Sequence, residues 1–224
     1  NEEELRLSLR RHPALLTADF QASAAVLQQV LGDEYLHTLR ESPEALLCDA
    51  DSLRDLSHVF EDWNISLCKV VKRSPRILLR KAIEIISLLE FLQDSTNGPG
   101  MERCKVQEVA TRFPMLLVAT RRPHEQLAPL VVFLRSLGVD PAEEKALQFY
   151  AWPDVVKMLQ TTAEFLKEQG YSQEELRDNV DVLGYSFEAR IFPRCRFLHT
   201  TETPMRCPLR ILAVADDQKF CQTL

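Results

Sequence analysis

An all-α fold, a curved α-solenoid of helical repeats of about 32 residues, is what the sequence predicts, and three observations predict it. Glycine is scarce, 6 residues in 224, whereas chains rich in tight β-turns spend more of it. Apolar residues recur at helical spacing, as in Ile83, Ile86, Leu89 and Phe91 or Val155, Met158, Leu159 and Phe165, without sustained period-two alternation. One phrase, a proline followed by a short apolar run, returns along the chain: HPALL at 12, SPEALL at 42, SPRILL at 74, FPMLLV at 113 and WPDVV at 152.

The first three of these prolines, Pro13, Pro43 and Pro75, are 30 and 32 residues apart. Out of phase with them runs an aromatic-Leu pair leading to glycine, FLRSLG from 133 and FLKEQG from 165. FLQDSTNG from 91 is a third copy, and its Asn97-Gly-Pro-Gly100 predicts an inserted loop. Proline suits the first turn of a helix, where its missing N–H is not needed, and Ser42 and Ser74 are expected N-caps. Each unit is therefore expected to be a helix pair. A unit of this size cannot bury its apolar stripe alone, so neighbours must stack over a continuous core, leaving an extended concave face. Residues 1–224 are expected to form one repeat domain of about six to seven units, the last full one at 165–198 and a cap at 199–224.

At 46% hydrophobic and 27% charged residues the composition is that of a folding chain. No apolar run is long enough for a membrane span, and no membrane partner is expected. Six cysteines without a Cys-x-x-Cys pair suit a reducing compartment.

The net charge of −6 argues against a nucleic-acid binder, but the cations are clustered. Residues 69–81 hold Lys69, Lys72, Arg73, Arg76, Arg80 and Lys81 without an acid; 186–210 hold Arg190, Arg194, Arg196, Arg206 and Arg210 against Glu188 and Glu202. Arg11, Arg73 and Arg112 each lie two residues before a repeat proline, although Glu41 and Ala151 break the pattern in two copies. Arg121 and Arg122 follow the apolar run of the fourth copy as Arg80 follows that of the third. Lys72, Arg73, Arg76 and Arg80, then Arg11, Arg112, Arg121 and Arg122, and finally Arg190, Arg194 and Arg196 are thus candidate phosphate contacts. Solvated arginines near helix starts would show the same phase.

The Pro-x-Leu-Leu and Phe-Leu-x-x-x-Gly phrases, with LGYSFEARIFPR at 183–194 as the most specific stretch, resemble the mitochondrial transcription termination factor (mTERF) family over nearly the whole chain. The resemblance implies three-helix repeats and a basic inner groove that binds double-stranded DNA, in transcription termination or regulation, or ribosomal RNA, in ribosome biogenesis. It also implies an organellar setting, the mitochondrial matrix first and the chloroplast second, with the transit peptide absent from this chain. A protein-binding scaffold within a larger ribonucleoprotein or methyltransferase-type complex, docking a ribosomal or rRNA-modifying protein, is the alternative.

No enzyme, metal or cofactor is expected. Cys195, His199 and Cys207 lack a structural-zinc spacing, and neither a His-Glu-x-x-His nor a Gly-x-Ser-x-Gly phrase occurs. Gly98-Pro-Gly100 has no following Gly-Lys-Ser/Thr and is taken as a turn. Phe149, Tyr150 and Trp152 could stack on a base, but packing in the core is the preferred reading. Arg54, between Asp51 and Asp55, is expected to be ion-paired and silent in binding.

Overall fold

The computed structural model describes residues 6, 10–11, 13–16, 21–152, 155–200 and 207–222, and every element among them is helical. The chain divides into two compact units, Asn1–His124 and Glu125–Leu224.

In the first unit the helix pair expected from apolar spacing becomes a trio. A longer helix is followed by a shorter one, and the proline then opens a separate third turn. Thus α1 (Gln21–Leu31) and α2 (Tyr35–Glu41) precede the 3-10 turn Pro43–Leu47. Helices α3 (Ala50–Asp62) and α4 (Leu67–Arg73) precede Pro75–Leu79, and α5 (Ala82–Gln93) and α6 (Arg103–Arg112) precede the short helix α7 (Pro114–Ala119). Corresponding elements pack on one another: α1 on α3, α3 on α5, and the two 3-10 turns side by side with α7 on the second.

The second unit repeats the order with α8 (Ala128–Ser136), α9 (Glu144–Leu147) and the turn Gln148–Ala151, then α10 (Val156–Glu168), α11 (Gln173–Asp178) and the turn Val180–Gly184. A π-turn at Phe187–Ile191 leads into α12 (Phe192–Thr200), and α13 (Leu209–Ala213) and α14 (Asp217–Gln222) follow.

Local chemistry sets the helix starts. Asp49 and Ser66 accept from the backbone N–H groups of Ser52 and Lys69, and Ser172 forms a reciprocal capping box with Glu175. Ser42 and Ser74 do not cap, against expectation. Ser42 donates to Glu44 at 2.9 Å, and the Ser74 hydroxyl lies 3.6 Å from Met115 Sδ. Both precede 3-10 turns, in which the N–H three residues on already meets the serine's own carbonyl: Ala45 N–H donates to Ser42 and Ile77 N–H to Ser74, both at 3.1 Å. Pro153 of the fifth phrase, like His12, lies outside the described residues.

The core is built from the predicted stripes, with exceptions. Leu89, Phe91, Val155 and Leu159 are buried, whereas Ile83, in the first turn of α5, is 67% exposed. Phe149 and Tyr150 are buried, the latter donating to the Pro141 carbonyl at 3.1 Å, while Trp152 stands in solvent. In the inserted loop, a Cβ on Gly98 would fall 1.8 Å from the Phe91 carbonyl oxygen, so only glycine lets the chain return this closely to α5.

Two outcomes are expected from this packing. In the run PRILL, Leu78 is 3% exposed and Leu79 is 44% exposed. Leu78→Ala should therefore cost about 2–5 kcal/mol in chemical denaturation and Leu79→Ala well under half of that. Gly98→Ala should cost about 1–3 kcal/mol, because backbone must move to admit the methyl group. A thermal melt unchanged by Gly98→Ala would show that the loop relaxes freely.

Candidate nucleic-acid interface

A helix end leaves backbone carbonyls without intrahelical partners, and a cation near the C-terminus also meets the negative end of the helix dipole. Several of the basic residues are placed by this need. Arg73 Nη1 donates to the carbonyls of Thr111 and Arg112 in the last turn of α6, both at 3.2 Å. Arg80 Nη2 donates to Thr120, the residue after α7, at 2.7 Å, and Arg103 donates to Asp62 at the end of α3. Gln107 reaches the Trp63 carbonyl at 2.8 Å. In the second unit Lys145 reaches Asp178 at 2.8 Å and Gln173 reaches Ser136 at 3.0 Å. These partners lie 33 to 44 residues apart, about one repeat of the sequence pattern.

Positions that share a phase in the sequence therefore touch in space. Arg73 and Arg112 each precede a repeat proline by two residues, and the guanidinium of the first binds the backbone of the second. Together with Cys104, Gln107, Glu108 and Thr111 they line an open recess of about 460 Å³. Arg112 is exposed, stacked over the Phe113 ring at 5.1 Å and 3.8 Å from Glu108. Lys72 is exposed and paired to Glu34 at 2.9 Å. Arg76, Lys69 and Lys81 are exposed. Arg11, Arg121 and Arg122 are exposed as well, as is Arg196 in the second unit. Arg206 lies outside the described residues.

For Arg80 and Arg194 the structure gives a different role from the expected phosphate contact. The Arg80 side chain is only 4% exposed and lies 3.3 Å from Glu84. Burial pulls its guanidinium below its ordinary value, Glu84 opposes this, and Arg121 adds to it. Arg194 is likewise enclosed: it donates to the Leu212 carbonyl at 2.8 Å, pairs with Asp217 at 2.6 Å and covers the Phe220 ring at 4.8 Å. Arg190 is half-buried, bonded to the Ala213 carbonyl at 3.1 Å and set over Tyr185. All three close the end of α13 or α7 rather than facing outward. Arg103 and Gln173 each open the second helix of a trio and, like Gln107 and Lys145, lie well away from the repeat prolines, so the sequence pattern did not mark them.

Of the residues Cys195, His199 and Cys207, the two cysteines are buried. Burial, with Cys207 next, pushes the Cys195 thiol up to about 11, and His199 Nε2 lies 2.5 Å from Gln169 Oε1. Arg54 is ion-paired with Asp51, as its neighbours suggested. Among the described residues no helix is long and apolar enough to cross a membrane.

An all-helical protein with side-chain donors bridging successive helix ends and with cations exposed at phased positions falls in the class of helical-repeat proteins. The family model for mTERF matches residues 42–221, and the chain belongs to the mTERF family. No curated protein and no solved structure matches it.

The role of Arg80 has a direct check. Arg80→Ala should lower stability by about 1.5–3 kcal/mol, the range for a hydrogen bond to a charged group. Arg76→Ala, on an exposed side chain, should stay within about 0.5 kcal/mol in the same denaturation series. Equal costs would remove the distinction drawn between them.

Proposed function

We propose that the protein binds double-stranded nucleic acid, duplex DNA or helical ribosomal RNA, and acts in organelle gene expression by positioning rather than by chemistry. Members of the mTERF family are nucleic-acid-binding helical proteins of mitochondria and chloroplasts, which supports both the ligand and the compartment. The observation that carries the reading is the contact of Arg73 with the backbone of Arg112: phased cations of neighbouring repeats are neighbours on one surface. Arg76, Arg121 and Arg122 are exposed on the same unit. A row of such charges tracks a phosphate backbone without reading bases. Arg80 and Arg194 have no part in it, since their guanidiniums are enclosed.

Salt dependence tests the proposal, because neutralising a phosphate releases a condensed cation. Arg76→Ala should weaken binding about equally across sequences and flatten the slope of log K against log salt by about 0.9 for duplex DNA, and Arg122→Ala should weaken binding in the same sequence-independent way. Arg54→Ala should leave the slope unchanged, its guanidinium being held by Asp51. A slope that responds to Arg54→Ala as strongly as to Arg76→Ala would remove the phased surface as the binding site. Slopes untouched by any of the three would favour the second reading, a protein-docking scaffold, which the net charge of −6 supports.

A further inference from the structure

Two carboxylates, the half-buried Glu34 and the exposed Glu108, stand against the candidate cations. Glu34 Oε1 lies 2.9 Å from Lys72 Nζ, 38 residues away in the next helix trio. Glu108 sits between two cations, with Lys105 Nζ at 3.1 Å and Arg112 Nη1 at 3.8 Å, and it lines the same recess as Arg73 and Arg112. Arg76, by contrast, carries no hydrogen bond or ion pair to any described residue. The lysine holds the Glu34 carboxyl below the ordinary carboxylate range, so this acid is charged at neutral pH.

We infer that Glu34 and Glu108 are built-in counter-ions that a phosphate backbone must displace, and that they set the affinity of this surface and its preference for densely charged duplexes. The inference rests on the duplex-binding reading above. Exposed ion pairs are weak enough to exchange partners, so the carboxylates attenuate binding without blocking it. The exchange has a thermodynamic signature. When an unpaired arginine takes a phosphate, the phosphate releases its condensed cation, and log K falls with log salt by about 0.9 per contact. When Lys72 takes a phosphate, the freed Glu34 carboxylate needs a cation from solution in its place. Release and uptake then cancel, and the contact adds little to the salt slope or to affinity at low salt.

Substitution of Glu34 by Gln removes the uptake while leaving Lys72 in position. Binding of a mixed-sequence duplex, followed through a salt series, should then show a slope steeper by about 0.9, with the affinity of Glu34→Gln relative to the native protein rising about eightfold for each tenfold fall in salt. Lys72→Ala should change the slope little in the native protein and by about 0.9 in the Glu34→Gln background, a double-mutant cycle with a large coupling in slope. Glu108→Gln with Arg112→Ala forms a second, independent cycle. Glu90→Gln, at an exposed acid of α5 whose side chain has no hydrogen bond or ion pair to any described residue, controls for the change in net charge. The inference is overturned if Lys72→Ala flattens the slope fully in the native protein, or if Glu90→Gln steepens it as much as Glu34→Gln does. Arg76→Ala separates the two levels: where it flattens the slope while both cycles are silent, only the counter-ion role fails, and where it too is silent, duplex binding and the counter-ion role fall together.

Discussion

Carbonyl groups at the ends of short helices are the constraint on which the rest of this structure depends. Helix α7 has 6 residues, α4 has 7 and α6 has 10, so a large share of their C=O groups has no intrahelical partner. Long donors from elsewhere in the sequence answer this need: Arg73 for α6, Arg80 for α7, Arg103 and Gln107 for α3, Lys145 for α11 and Gln173 for α8. Apolar burial drives these helices together but is non-directional. A donor that must meet one particular carbonyl adds the register, and arginine suits the task because its fork can bond at one edge while the stem packs.

The same requirement explains why charge phase in the sequence overstates the binding surface. Residue type and phase alone do not distinguish a guanidinium that closes a helix end from one that meets a phosphate. Arg73 and Arg80 both follow from the pattern, yet Arg73 is exposed and Arg80 is sealed between Thr120 and Glu84. What separates them is the third dimension: Arg80 follows a 3-10 turn whose Ile77 and Leu78 face the core. No spacing rule supplies that information.

Much of the fold was legible, because helical period and proline placement are local properties. Scarce glycine and apolar spacing carried the all-α reading, and the recurring prolines marked the third turns, though not their type. Part of the difference lies in the type of helix. An α-helix turns by about 100° per residue and a 3-10 helix by about 120°, so runs that look alike in the sequence divide differently between core and solvent. Leu78 goes in and Leu79 out, and Tyr150 goes in while Trp152, just past its 3-10 turn, goes out. Ser42 and Ser74 have the right residue type for a cap, but in the 3-10 turns that follow them their own carbonyls already take the N–H of Ala45 and Ile77. Glu34 and Glu108 were missed as part of the site because their cations are 38 residues away in one case and on the same helix face in the other.

An acidic chain that carries phased cations meets opposing electrostatic demands. Its net charge of −6 repels a polyanion at long range, while within a Debye length, about 10 Å at 0.1 M salt, only the nearby charges matter. For the proposed nucleic-acid ligand the net charge offers no steering, and lasting contact would depend on how many cations the ligand engages at once. Pairing Lys72 with Glu34 and Arg112 with Glu108 deepens that dependence, since each engaged phosphate must outcompete a carboxylate already in place. Isolated phosphates and flexible single strands present fewer charges in a fixed array than a duplex does, and they lose such a competition first. On the duplex-binding reading proposed above, the acidity that argues against nucleic-acid binding in the totals would, at these positions, restrict binding to ligands with a regular and dense backbone.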